Sequence, residues 1–170
     1  MNKKTKILLG ILILLIVILV IVGGILLLNK NEANNSFNVS SADDMGDLIT
    51  ELYSGLEGRL PTSLNSMEID IKNIELVKTY TGLDNVDGIE HIVVSEPIIS
   101  SQAYSLILVK SDSKEKADEI AKNMNEKVDT NKWISVSAEK VYSTSNGDLT
   151  ILVMSSEEWA KPVYDRSKEL

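Results

Sequence analysis

Hydrophobic positions follow two different rhythms along this chain. Over residues 7–28 they are continuous: ILLGILILLIVILVIVGGILLL holds no charged side chain and nothing polar beyond the backbone. At 1.5 Å per residue a helix of this length is about 33 Å long, enough to span a bilayer core with slight tilt. Gly23 and Gly24 weaken a helix in water but are tolerated in lipid, where the backbone has no other place for its hydrogen bonds. A single membrane-spanning anchor is expected. Its glycines fall in no G-x-x-x-G spacing and it carries no ionisable group, so it lacks the usual means of tight helix pairing and any ion path.

Residues 29–40, NKNEANNSFNVS, are polar and asparagine-rich and read as a tether between the anchor and one folded domain at 41–170. Beyond residue 41 the pattern becomes periodic. Met45, Leu48, Ile49, Leu52, Tyr53 and Leu56 mark one buried helix face, with Ser41 as N-cap and Asp43, Asp44 and Asp47 complementing the dipole. Residues 57–66, with Gly58 and Pro61, read as a loop. A second helix is expected from about Ile71, with Ile71, Ile74, Val77 and Tyr80 on one side and Gly82 as its C′ glycine.

Four strands are expected next. IEHIVVS (89–95) and AYSLILVK (103–110) are β-branched and apolar, joined by the connection EPIISSQ. A third helix follows from Lys114 to about Thr130, opened by an Asp112/Glu115 pair, with Ala117, Ile120, Ala121, Met124 and Val128 as its stripe and Asp118–Lys122 on its wet face. Trp133 and Ile134 are expected to fold under its end. A weakly apolar third strand spans about 136–144. Asn146-Gly147 signals a type I′ hairpin into LTILVM (149–154), and Ser155 with Glu158 caps a short last helix limited by Pro162. The second and fourth strands are apolar on both faces, as central strands are, while the third is half polar, as an edge is. The predicted fold is α+β: a four-stranded antiparallel sheet of order 1-2-4-3 with packed helices, preceded by one transmembrane helix.

Charge assigns the sides. Lys3, Lys4 and Lys6 precede the span, whereas Lys30 behind it is soon offset by Glu32, so residues 1–6 are expected in the cytoplasm and the domain outside. A cleaved signal peptide competes with this reading. Its apolar core would be roughly 7–15 residues, and no A-x-A-like site follows here. Setting aside the three leading lysines leaves 14 basic against 25 acidic residues, a balance of about −11. That acidity argues against nucleic acid and against lying on anionic headgroups. The chain has no cysteine, so packing alone must hold the domain.

The chemistry is notable for what it lacks. With one histidine, His91, and no cysteine, Cys-His catalysis and the usual zinc sites are ruled out. His91 lies within a strand and there is no G-x-S-x-G, so a structural or exposed histidine is the reading. Asp84-Asn85-Val86-Asp87-Gly88 departs from calcium-loop spacing and reads as a turn. Glu157-Glu158 sit in a helix's first turn, where the dipole explains them. There is no Gly-rich phosphate loop. No catalytic residue, cofactor or metal ligand is expected.

The element order itself resembles a known family. A helix ending at Gly82, a strand ending in SEP, LILVKSDS running into KEKADEIAKNMNEKV, a tryptophan-containing loop and NGDLTILVMSS are together similar to the bacterial domain-of-unknown-function family 4358. The resemblance covers roughly residues 67–163. Members occur mostly in low-GC Gram-positive bacteria and are often lipoproteins, so it implies an anchored extracytoplasmic protein. The chain departs from the pattern in having no anchoring cysteine. The family has no assigned activity, so no functional residue carries over.

Two functions remain: a non-catalytic interaction or accessory module of the cell envelope, or a carboxylate- or serine-dependent envelope enzyme. The expected partners are the membrane, through the anchor, and an envelope protein. One place stands out for docking. The connection 96–102 sets Ile98 and Ile99 side by side, and connections run over the surface. Strand alternation buries one of two such neighbours. On the docking reading one or both stand exposed beside Tyr104 as a small apolar patch.

Overall fold

The computed structural model describes residues 39–170; the predicted anchor and most of the tether lie outside the described residues. Ser41 opens the first helix, α1 (Ala42–Tyr53), by accepting the Asp44 N–H on its hydroxyl at 3.2 Å. Met45, Leu48, Ile49 and Leu52 form its buried face, as the spacing predicts. Val39 corrects the domain boundary: expected in the tether, it packs in the core with these residues.

The chain then departs from expectation. Within the predicted 57–66 loop a short strand begins, β1 (Leu64–Glu68), pairing antiparallel with β2 (Ile89–Pro97). Its sequence LNSME has no apolar alternation because only Leu64 is even partly buried. An edge strand needs backbone partners on one side only, and that leaves little trace in hydropathy. Ser63, just before it, turns the chain with φ 58°.

The second helix, α2 (Ile74–Thr81), starts later than expected because Asn73 caps it, accepting the Leu76 N–H at 3.1 Å. Ile74 is turned mostly outward at 40% exposure, whereas Val77 is fully buried. Gly82 ends the helix with φ 74°, as predicted, and Leu83 closes into the core. After β2 come β3 (Ser105–Ser111), α3 (Lys114–Lys127), β4 (Lys140–Asn146), β5 (Leu149–Ser155) and α4 (Glu157–Ser167).

The sheet has five strands in the order β1-β2-β3-β5-β4, with every neighbouring pair antiparallel. The four predicted strands keep their predicted order, and β1 is added outside β2. Because β5 lies between them, β3 and β4 are joined by a crossover through α3. Helices cover both faces. On one, α1 and α4 pack over Val93, Leu106, Leu108, Ile151 and Val153. On the other, α2 and α3 pack over Ile92, Val94, Ile107, Val109 and Leu152. The central strands β3 and β5 are buried on both sides, which is why their sequences read as continuous apolar runs.

Several local expectations are corrected. The β4–β5 hairpin forms, but its two-residue loop is Gly147-Asp148, and of those two only Gly147 has positive φ. That is the pattern of a type II′ turn, which needs a glycine only at its first central position. Helix α3 is preceded by Ser113 with no side-chain cap, since Asp112 is engaged by the Ser113 hydroxyl at 2.8 Å. Asp118 pairs across to Ser145 of β4 rather than along the helix to Lys122; the wet-face pair is Lys116–Glu119 at 2.9 Å. Ser155 stays in β5 and donates to the Ala103 carbonyl at 2.6 Å, leaving Ser156 at the start of α4. That helix continues past Pro162, although proline there removes one amide donor and crowds the Glu158 carbonyl. Trp133 packs against the α2/α3 side, but Ile134 is 73% exposed.

Candidate functional site

Among the described residues, the connection between β2 and β3 is the segment that exposes two adjacent large apolar side chains, Ile98 and Ile99. Pro97 closes β2, and the Ile98 N–H donates to the Ser63 carbonyl at 3.1 Å, so the strap is held against the segment entering β1. Beyond that bond the chain leaves the sheet. Ile98 is 74% exposed and Ile99 53%. The expectation that one isoleucine packs inward fails because the pleat ends at Pro97, and alternation has no meaning outside a strand. Tyr104 is the opposite correction. It is fully buried, its ring 6.4 Å from that of Tyr53 and its hydroxyl donating to the Tyr53 hydroxyl at 3.2 Å. Out of reach of solvent, it offers a partner nothing.

The strap is pinned on its other side by charge. Glu96 lies on the α2/α3 side, where its carboxylate pairs with Lys132 Nζ at 2.5 Å. Both side chains are largely out of water. Lys132 sits 4.7 Å from the Tyr80 ring centroid and 5.2 Å from that of Trp133, and donates to Ser105 Oγ at 3.5 Å. Burial holds the Lys132 ammonium below the usual lysine range, opposed chiefly by the Glu96 carboxylate. Burial, then the nearby Glu96 charge, raises the Tyr80 hydroxyl. Sequence reasoning missed this cluster because Lys132 and Glu96 are far apart along the chain and neither lies in a motif.

A lysine near a serine suggests nucleophile and base. Here Ser105 is fully buried and Lys132 is committed to Glu96, so the group reads as a structural tie. The other candidate groups are similarly engaged. His91 Nδ1 lies 2.9 Å from Glu68 Oε1, beside a shallow depression of about 370 Å³ lined by Glu68, Asp70, Ile71 and Glu90. Glu157 accepts from the Tyr142 hydroxyl at 2.8 Å. Asp84 pairs with Lys78 at 2.7 Å, and Asn85 caps the Asp87 N–H within the turn. Among the described residues no group of three or more histidine, aspartate or glutamate side chains is placed to hold a metal ion.

A second concavity of about 580 Å³ lies at the end of α1, between Tyr53, Glu57, Leu60, Pro61 and Leu64. It is mostly apolar and open to solvent, with the exposed Glu57 as its acidic group. Compared with known proteins, the chain matches no family model, no curated protein and no solved structure.

Proposed function

We propose that this chain is a membrane-anchored, extracytoplasmic interaction module of a bacterial, Gram-positive cell envelope, acting by docking rather than by catalysis. The observation that carries this reading is the pair Ile98 and Ile99, both turned to solvent on a strap whose base is fixed by Ser63 and by the Glu96–Lys132 pair. Exposing two adjacent isoleucines forfeits burial worth roughly 1.5–3 kcal/mol each, a cost that a partner surface recovers. Anchorage rests on the uncharged run 7–28, and orientation on the lysines at 3, 4 and 6. The resemblance to family 4358 points the same way. Tyr104 is left out of the docking surface.

The alternative, a serine- or carboxylate-dependent envelope enzyme, has less support: the serine that Lys132 contacts, Ser105, is out of reach of a substrate.

The test replaces both isoleucines by serine in the full chain. Melting should barely change, because neither side chain is in the core, while recovery of an envelope partner from solubilised membranes should fall. A strongly destabilised double variant, or undiminished recovery, overturns the docking reading. External protease on wall-stripped cells should degrade the domain; protection of the whole chain overturns the topology.

A further inference from the structure

The β1 edge offers a second surface, independent of the strap. Its register with β2 is unbroken, and the flanking bonds Ile98 N–H to Ser63 and Ile69 N–H to Ile92 show which residues pair inward. Ser63, Asn65, Met67 and Ile69 face β2, so Leu64, Ser66 and Glu68 turn their N–H and C=O groups outward. No segment among the described residues meets them. Four of the five residues are exposed, so nothing among the described residues covers the edge. Of the devices that usually blunt an edge, β1 has only its short length and one charge, Glu68; it has no lysine, no proline and no bulge.

We propose that β1 pairs with β1 of a second copy, antiparallel about a two-fold axis through Ser66, joining the two sheets into one. Each outward N–H then meets an outward C=O: Ser66 with Ser66 of the second copy, and Leu64 with its Glu68 in both directions. The side chains single out this register. An axis at Glu68 sets like charges directly opposite, which destabilises a sheet. An axis at Leu64 runs the partner strand against Pro61 and the φ 58° turn at Ser63, where the edge is no longer extended. The axis at Ser66 puts the smallest side chain at the centre and the strand's one charge opposite Leu64. The two Glu68 carboxylates are then about 14 Å apart along the strands, beyond the Debye length of about 8 Å at physiological salt. The domains are strongly acidic, so added salt favours the pairing.

Because the chain has no cysteine, single cysteines report the register in the full-length protein, in detergent or in native membranes. A hydrogen-bonded antiparallel pair has Cα atoms about 5.5 Å apart, within the disulfide range of about 4.4–6.8 Å. Ser66→Cys should form a covalent dimer under mild oxidation at least tenfold faster than Ser137→Cys on an exposed loop, and faster still in higher salt. Mixed Asn65→Cys and Met67→Cys chains should cross-link to each other well above either alone. Equal rates at positions 66 and 137 overturn the pairing. So does a mixture no better than its components, or capture of a different protein by Ser66→Cys in place of a second copy.

Discussion

Glu96 and Lys132 meet at 2.5 Å across the α2/α3 side of the sheet, tying the strap that carries Ile98 and Ile99 to the segment that follows α3. With the lysine side chain 9% and the glutamate 17% exposed, neither charge has water enough to stand alone. Removing one partner of a buried pair costs about 3–5 kcal/mol, whereas removing both charges together is far milder. Lys132→Ala should therefore destabilise the domain strongly, and Lys132→Met with Glu96→Gln should recover most of the loss. Urea denaturation of the three variants gives the comparison. Additive losses would show that the two side chains act separately.

Alkali should unfold the domain early. Burial pushes the Tyr53 hydroxyl up to about 12, against hydrogen bonds that lower it, and burial also raises Tyr104. Over this range the folded protein keeps protons that the unfolded chain releases near pH 10. The stability Tyr53 contributes is thus full below about pH 10 and lost as pH rises to about 12, on the order of 3 kcal/mol. Lys132 runs the other way: burial makes its folded state favour the neutral form, so the stability it contributes improves as pH rises toward 10.5. Tyr53→Phe with Tyr104→Phe should flatten the alkaline limb of a stability–pH curve. An unchanged slope would place its origin elsewhere.

Gly82 and Gly147 both have positive φ, yet they should respond differently to alanine. A Cβ at Gly82 meets the Lys127 carbonyl carbon and oxygen at 2.5 Å, where the end of α2 passes the end of α3. Around Gly147 nothing lies within 4 Å. Gly147→Ala should cost only the backbone strain of that conformation, roughly 1–3 kcal/mol. Gly82→Ala should cost clearly more, because the backbone of α3 must shift. Equal melting temperatures would show that the two helix ends are free to move apart.

The domain should fold without residues 1–38, provided it starts at the right residue. Val39 is 4% exposed and packs in the α1/α4 core, so a piece beginning at residue 41 lacks a core side chain. Residues 39–170 should melt cooperatively and exceed residues 41–170 by roughly 1.5–3 kcal/mol, the worth of a buried aliphatic side chain. Identical melting of the two pieces would place Val39 outside the folding unit.

Much of this architecture is local in origin and could be read along the chain. The apolar stripes of α1 and α3, the αL end at Gly82, the hairpin at Gly147 and the two-sided apolarity of β3 and β5 each record a periodicity or a single steric demand. Strand order followed from those same records, since a strand buried on both faces must lie inside. What hydropathy could not carry was decided by tertiary structure. β1 exists because β2 needed a neighbour, and an exposed strand supplies backbone without any apolar signature. Ile98 and Ile99 leave the core, and Tyr104 enters it, because β2 ends at Pro97 and Tyr53 arrives from α1 to meet Tyr104. The Glu96–Lys132 contact is of the same kind: two residues with no relation in sequence become partners once the sheet and the end of α3 fix where they stand.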